Sequence, residues 1–143
     1  RALHMDDRQL SDRDHQALAS FRHALRVFLR FSEEAAREAD VTPAQHQLML
    51  AIKGWSGPLP PTVAELAHQL QLKHNSTVEL VQRAAAAELV RSDPNPLDRR
   101  QHLTRLTERG EASIASLSLL HRDELLNLEG NFLLPQLQEL QQD

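Results

Sequence analysis

Hydrophobic side chains recur every three or four residues along most of the chain, which predicts a mainly helical fold. In the first segment Leu18, Phe21 and Leu25 follow this spacing, as one face of an α-helix does. Ser11 begins a capping box just before them, and the pattern lasts to about Glu38. A helix with so long an apolar face is expected to pack against something outside its own domain.

Two further capping boxes predict the next two helices. The segments Thr42-Pro43-Ala44-Gln45 and Thr62-Val63-Ala64-Glu65 each place a threonine three residues before Gln or Glu. The first of these helices is expected to end near Gly54 and the second at Leu70. Between them, Trp55 to Pro61 holds three prolines and a glycine, which predicts a loop.

A third helix is predicted immediately afterwards, from about residue 75 to Glu88. Asn75 or Ser76 is expected to cap its N-terminus, because both side chains accept a backbone hydrogen bond well. Only Gln71 to His74 separate the two helices, and such a closely joined pair is typical of a helix-turn-helix. An ordinary helical hairpin would show the same pattern, so the pair alone does not identify a DNA-binding motif.

The next segments predict a β-ribbon. Leu89 to Ser92 and Gln101 to Leu106 have strand character, and the residues from Asp93 to Asp98 are rich in turn formers. A two-stranded ribbon directly after a helix-turn-helix is a wing. Thr107 is then expected to cap a long helix that lasts to about Leu128, with its apolar residues facing inward: Ile114, Leu117, Leu120 and Leu125.

These elements predict a mainly α (α+β) fold, a winged helix-turn-helix with long N- and C-terminal dimerisation helices. Residues 42–110 would form the DNA-binding lobe, and residues 11–40 and 111–143 the helical dimerisation region. The latter includes a predicted last helix that carries Phe132, Leu133, Leu137 and Leu140. Arg1 to Met5 resemble the remnant of a cloning vector and are left out of the fold.

Composition narrows the function. There is no cysteine, which excludes disulfides and thiolate metal sites, and no apolar run approaches the roughly 20 residues that span a bilayer. A cytoplasmic location is therefore expected. The net charge is −4, yet the stretch from Lys73 to Arg109 carries +2 and the remainder −6. Such polarity is typical of one face turned toward a polyanion.

The sequence predicts neither a metal site nor an enzyme. Eight histidines are present, but none of them form a pair with metal-motif spacing, and His68 and His74 stand on either side of a turn. The chain has no glycine-rich phosphate loop, no nucleophile elbow and no paired carboxylates. We therefore expect no cofactor and no catalysis.

A specific pattern follows the predicted turn of the wing. The chain has Asp, one residue, Arg, five residues, Leu-Thr, two residues and Gly, and in this respect it resembles the MarR family of winged helix-turn-helix transcriptional regulators. The matching positions are Asp98, Arg100, Leu106, Thr107 and Gly110.

The predicted recognition helix adds to this resemblance. Leu80-Val81-Gln82-Arg83 is similar to the Leu-Val-Asp-Arg of the family. Two positions depart from it: Gln82 replaces an aspartate, and Glu88 stands where the family normally has glycine, so the helix exit lacks its easy left-handed residue.

The resemblance implies a homodimeric repressor that binds a palindromic operator in double-stranded DNA and is released by a small, perhaps aromatic or phenolic, effector. Arg100 would enter the minor groove with Asp98 orienting it, and Arg99 would contact phosphate. Base or phosphate contacts from the recognition helix are expected at its polar positions: Lys73, His74, Asn75, Ser76, Thr77, Glu79, Gln82 and Arg83.

Some alternatives stay open. Asn75 and Ser76 could be N-caps alone, and Thr77 falls on the apolar face of its helix. Five residues are candidates for lining an effector pocket but are more typical of a core: Phe28, Phe31, His46, Met49 and Trp55. The rival functions are a winged-helix protein-interaction module without DNA binding and a metal-responsive regulator.

Overall fold

The computed structural model describes residues 9–128, so the predicted last helix and the segment from Arg1 to Met5 lie outside the described residues. The elements follow the predicted order and confirm a mainly helical winged fold. They are α1 Asp12–Glu38, α2 Pro43–Lys53, α3 Val63–Leu70, α4 His74–Ala86, β1 Val90–Asn95, β2 Asp98–Leu106 and α5 Glu108–Asn127. None of the described helices is long and apolar enough to cross a membrane.

Both predicted capping boxes of the helix-turn-helix region are confirmed. The Thr42 hydroxyl accepts a hydrogen bond from the backbone N–H of Gln45, and the Gln45 side chain accepts one from the N–H of Thr42, each at 3.0 Å. Thr62 and Glu65 make the same reciprocal pair at 3.2 and 3.0 Å. Each box satisfies two backbone donors that the first turn leaves without a helical partner, which is why α2 and α3 begin where they do.

The predicted cap of α4 is wrong. The helix begins at His74, its N-cap residue Lys73 makes no side-chain cap bond, and Asn75 and Ser76 lie inside the first turn. The buried Thr77 explains this start, because its N–H and its hydroxyl both donate to the Lys73 carbonyl, at 3.0 and 2.9 Å. Packing of one side chain in the core therefore overrides the local preference for Asn or Ser at the cap.

Three helices end in a left-handed residue that is not glycine. Asp40, Gln71 and Glu88 have φ values of 61°, 55° and 61°. At each end, the N–H of the residue that follows bonds to the carbonyl five positions earlier, the bond of a Schellman motif: Val41 to Ala36, Leu72 to Ala67 and Leu89 to Ala84. Glu88 thus adopts the conformation that its side chain disfavours, and α4 ends at Ala86 rather than near Glu88.

The wing is longer and its turn shorter than predicted. The strands pair antiparallel from Val90↔Leu106 to Pro94↔His102, and only residues 96 and 97 form the turn. Pro94 is accommodated because β1 pairs only with β2 and keeps an open outer edge, where a missing N–H breaks no ladder. The register shifts after Pro94, so that the next pair is Asn95↔Asp98 and residues 99–101 bulge from β2.

The Leu-Thr-x-x-Gly part of the sequence motif joins the wing to α5. The Thr107 N–H donates to the Leu89 carbonyl at 3.0 Å, and the Thr107 hydroxyl donates to the Glu88 carbonyl at 2.6 Å while accepting from the N–H of Gly110 at 3.0 Å. A Cβ at Gly110 would overlap the Leu89 carbonyl. These residues therefore have a structural role at the point where α4 leads into the wing.

The chain divides into two compact units, each described by itself. The larger unit, Glu33–Leu120, holds the helix-turn-helix and the wing. Its core draws fully buried side chains from its helices and from the start of the wing: Leu48, Met49, Leu66, Thr77, Leu89, Thr104, Ile114 and Leu117. Because α2, α3, α4 and the wing all contribute to one core, the recognition helix and the wing are held on a common scaffold.

The second unit comprises residues 1–32 and 121–143, of which 9–32 and 121–128 are described. The predicted capping box between Ser11 and Asp14 is present at the start of α1. Phe28 and Phe31 pack edge-on against the His121 ring, with centroid separations of 5.7 and 5.4 Å. The His121 Nε2 lies 2.8 Å from the Ser32 hydroxyl.

The inward orientation predicted for part of α5 is wrong for the single chain. Ile114 and Leu117 are buried as expected, but Leu120 in the larger unit and Leu125 in the smaller one are exposed. Helical periodicity identifies an apolar face but not which part of that face the same chain covers.

Candidate nucleic-acid interface

Helix α4 presents a buried and an exposed face. Thr77, Val81 and Ala84 are buried in the core of the larger unit. Of the side chains predicted to contact DNA from α4 and its N-cap, only Thr77 has no exposed surface. The others are exposed: Lys73, His74, Asn75, Ser76, Glu79, Gln82 and Arg83. Thr77 therefore cannot contact DNA, and its place among the candidate residues is corrected to a core position.

A groove of about 420 Å³ separates α4 from the wing. Its walls bring together His74 and Gln82 of α4 with Arg100, Gln101 and His102 of β2. All five side chains are exposed and can donate hydrogen bonds. The groove thus places three of the predicted residues side by side, while Arg83, Glu79 and Lys73 lie outside its lining.

Gln101 and His102 were missed by the sequence reasoning. The one sequence signal for His102 was its place two positions after Arg100 in a predicted strand, although the bulge at residues 99–101 interrupts strict strand alternation between them. No comparable signal existed for the groove itself, since its width depends on how the ribbon packs beside α4.

The Asp98–Arg100 pair is the best-defined polar contact of the wing. Asp98 Oδ1 accepts hydrogen bonds from the backbone N and the Nε of Arg100, both at 3.1 Å, and Oδ2 accepts one from a terminal nitrogen at 3.4 Å. The hydrogen bond from the Arg100 side chain, followed by that from its backbone N–H, lowers the pKa of Asp98 below its usual value. Asp98 thus holds the Nε side of the Arg100 guanidinium, while 91% of the Arg100 side chain stays exposed.

A buried asparagine shapes the tip of the wing. Asn95 is only 6% exposed; its Oδ1 accepts from the Leu97 N–H at 3.0 Å and its Nδ2 donates to the Gln101 side chain at 3.2 Å. Arg99 and Arg100 lie in β2, just beyond the turn. The predicted turn signal at Asn95 did not indicate this bracing role.

A second cluster of charges lies nearer the base of the wing. Arg91 and Arg105 are paired across the strands and share Asp93, at 3.5 and 3.7 Å. Both arginines line a cavity of about 540 Å³ that also includes Trp55. Strand alternation places Arg105 on the opposite face from His102, so this cluster is separate from the groove beside α4.

The candidate effector residues are distributed over both units. Phe28 and Phe31 belong to the smaller unit, where they pack on His121. His46 and Met49 are buried in the core of the larger unit, and the half-buried Trp55 lines the 540 Å³ cavity, whose walls include neither of them. Among residues 9–128, no group of three or more histidine or acidic side chains could hold a metal ion.

A helix-turn-helix followed directly by a two-stranded antiparallel ribbon defines the winged helix-turn-helix class. The model of the MarR family matches residues 39–101, which include α2 to α4, β1 and the Asp98–Arg100 pair. This part of the chain therefore matches the MarR family of transcription regulators, the family that the sequence motifs resemble, and the match is confined to that region. Members of this family regulate transcription and are not enzymes.

Solved structures agree with this assignment. The MarR family transcription regulator SP03579 is 28% identical, with 81% of this chain and 76% of that chain covered and a TM-score of 0.70. The transcriptional repressor CouR, solved bound to a 23-mer DNA duplex, is 27% identical over 76% of this chain and 77% of that chain, with a TM-score of 0.63.

AbsC, a MarR family regulator from Streptomyces coelicolor, is 21% identical, with 93% of this chain and 90% of that chain covered and a TM-score of 0.73, and shows the same fold. No curated protein sequence matches the chain.

Proposed function

We propose that this chain is a sequence-specific DNA-binding repressor that acts in the cytoplasm as a homodimer on a palindromic operator. The observation that carries the proposal is the Arg100 guanidinium, held at its base by Asp98 and exposed beside the groove that faces α4. The DNA-bound structure of CouR, a repressor 27% identical to this chain, supports the same partner.

The structure suits a DNA duplex because α4 and the wing can enter two adjacent grooves. The outer face of α4 carries Gln82 and Arg83, which can reach base edges in the major groove. Arg100 then extends into the neighbouring minor groove, where a narrow width strengthens the negative potential. The sugar-phosphate strand between the grooves would pass His74 and His102, whose ring nitrogens can donate to phosphate oxygens.

Dimerisation is supported by apolar side chains that the described part of the smaller unit leaves exposed. They lie on both of its helical segments: Leu18, Val27, Leu29, Leu125 and Leu126. Obligate interfaces bury more than about 2,000 Å² and are strongly apolar, which these exposed aliphatic side chains fit. Sedimentation of the wild-type chain should show a dimer, and Leu126→Glu should shift it toward monomer. A wild-type monomer that binds its operator would contradict this part of the proposal.

The decisive experiment is footprinting on DNA upstream of the protein's own gene. A two-fold dimer presents its recognition helices about one helical turn apart, so two inversely related protected half-sites are expected. Protection of one asymmetric half-site at every protein concentration would exclude the palindromic arrangement. No protection of any sequence would favour a winged-helix protein-interaction module instead.

The resemblance also supports regulation by a small aromatic or phenolic effector that lowers operator affinity. If such an effector acts, adding it should release the operator in a binding titration and raise the melting temperature of the free protein, since a ligand that binds only the folded state stabilises it. Release without any shift in melting temperature would point to competition by the compound for DNA.

A further inference from the structure

Leu97 at the turn of the wing is the most exposed of the large apolar side chains in the described chain. It is 84% exposed, whereas the next, Leu126, is 61% exposed. Turns favour Gly, Asn, Asp and Ser because these residues suit the backbone or bond to it locally. The Leu97 side chain therefore neither packs in the described core nor favours the turn, and it is accessible to a binding partner.

The turn holds this leucine in a fixed position. The Leu97 N–H is bound by the buried Asn95 side chain, and the preceding Pro96 restricts the backbone. On the other side, Asp98 is tied to Arg100 by three hydrogen bonds. A side chain displayed on so constrained a turn loses little backbone freedom when it binds, which favours its use as a contact.

The neighbours of Leu97 indicate what it contacts. Arg99 and Arg100 follow within three residues and are both exposed, so this part of the wing combines one exposed apolar side chain with two cationic ones. A protein partner would be expected to require a broader contiguous apolar patch. The minor groove of DNA offers the matching surface, because deoxyribose C–H groups form its walls while its floor and phosphates attract cations.

We propose that Leu97 packs against the deoxyribose walls of the minor groove and thereby seats the Arg100 guanidinium in it. This inference rests on the proposed DNA-binding function and adds an apolar contact to it. Because the contact is uncharged, it contributes affinity that does not depend on salt, unlike the contribution of a phosphate-neutralising arginine.

The test compares Leu97→Ala and Leu97→Asn with Leu50→Ala, which truncates an exposed leucine on α2, outside α4 and the wing. Titrations on operator DNA at three salt concentrations should show Leu97→Ala binding about sixteenfold more weakly per dimer, which corresponds to one methylene equivalent of burial lost in each protomer at a factor of about four apiece. The slope of log affinity against log salt should equal that of wild type. Leu97→Asn should behave like Leu97→Ala, and Leu50→Ala should be unchanged.

Hydroxyl-radical footprinting supplies a direct measurement, because the radical cleaves at deoxyribose. Wild type should protect sugars at the outer minor grooves of the operator, and Leu97→Ala should lose that protection while keeping the protection beneath α4. Unchanged affinity for Leu97→Ala, together with weakened binding of Arg100→Ala, would overturn this inference and leave the proposed function intact.

Two other outcomes would also overturn it. An altered salt slope for Leu97→Ala would show that the substitution disturbs the arginines rather than an apolar contact. Failure of the wild-type chain to bind any operator would remove the proposed function and this inference together.

Discussion

The recognition helix and the wing present their polar groups by different physical means. On α4 the backbone is set by buried Thr77, Val81 and Ala84, while in the described chain the Gln82 and Arg83 side chains form no hydrogen bond or ion pair. On the wing the side chains themselves are held, Arg100 by Asp98 and the turn by Asn95. Helix α4 therefore presents unconstrained side chains on a rigid backbone, whereas the wing presents a cationic side chain, Arg100, that is already oriented.

This difference predicts a division of labour. Adaptable donors suit base edges that differ from one operator to another, whereas a preorganised cation suits a backbone and groove that every duplex shares. Substitutions at five positions test this difference between α4 and the wing.

The largest effect is expected from Gly110→Ala at the base of the wing. The new Cβ would overlap the Leu89 carbonyl, a backbone atom that cannot swing aside. We expect the free energy of unfolding to fall by about 3 kcal/mol, the upper range for overpacking. Gly54→Ala is the control, because its Cβ would lie 3.3 Å from the Leu50 carbonyl and should cost far less. Urea unfolding decides, and equal stability of the two variants would contradict the role of Gly110 as a packing position.

Arg100→Ala removes the preorganised charge. We expect weaker binding to operator and to scrambled DNA alike, with the salt slope reduced by about 0.9 per protomer or about twice that per dimer. Arg100→Lys should restore part of the affinity, because a point charge replaces a planar fork. The melting temperature should change little, because an exposed ion pair contributes little to stability. Unchanged affinity would mean that the wing does not touch DNA.

Arg83→Ala should differ in kind from Arg100→Ala. Loss of a base-edge contact costs about 1–3 kcal/mol per half-site and relaxes the preference at one base pair. Binding to a set of operators with single base changes, in parallel with scrambled DNA, measures both effects. A uniform loss on every sequence would assign Arg83 to phosphate and would remove the contrast between helix and wing.

Asp98→Ala tests preorganisation itself, because it deletes a negative charge near DNA and is nevertheless expected to weaken binding. Releasing the Arg100 side chain should cost about 0.5–1.5 kcal/mol per protomer, the ordering entropy of a flexible side chain. Tighter binding, as simple charge removal would give, would contradict the orienting role.

The pH dependence of this pair follows from the lowered pKa of Asp98. A depressed carboxyl pKa means that the pairing stabilises the fold above the usual Asp value of about 3.9 and is lost as pH falls through the lowered value. Binding at neutral pH should therefore be insensitive to Asp98 titration. In an NMR titration of Arg100→Ala, the pKa of Asp98 should rise toward its usual value.

The smallest effect is expected at the joint between α4 and the wing. Glu88 has φ of 61°, so Glu88→Gly should relieve the left-handed strain and stabilise the fold by about 1 kcal/mol. The Arg109 contact that it removes, at 3.9 Å between exposed groups, contributes little. Ala87→Gly is the matched control: its φ is −83°, so it should destabilise instead. Thermal unfolding of both variants would show whether the strain lies at Glu88.

The sequence alone determined the local features of the protein. The Thr42 and Thr62 capping boxes, the bounds of α3 and the Asp98–Arg100 motif involve residues within a few positions of one another. Interactions at such short range have the same partners in almost any tertiary setting, and so spacing predicts them.

Long-range packing set where α4 begins, how far the wing extends and which leucines stay exposed. Burial of Thr77 moved the start of α4 ahead of Asn75, and strand pairing drew Pro94 into β1 against its turn preference. The exposure of Leu97 and the side-by-side placement of Arg100 and His102 likewise arose from packing. Each outcome depended on contacts between residues distant in sequence, whose energies exceed a local propensity of less than about 1 kcal/mol.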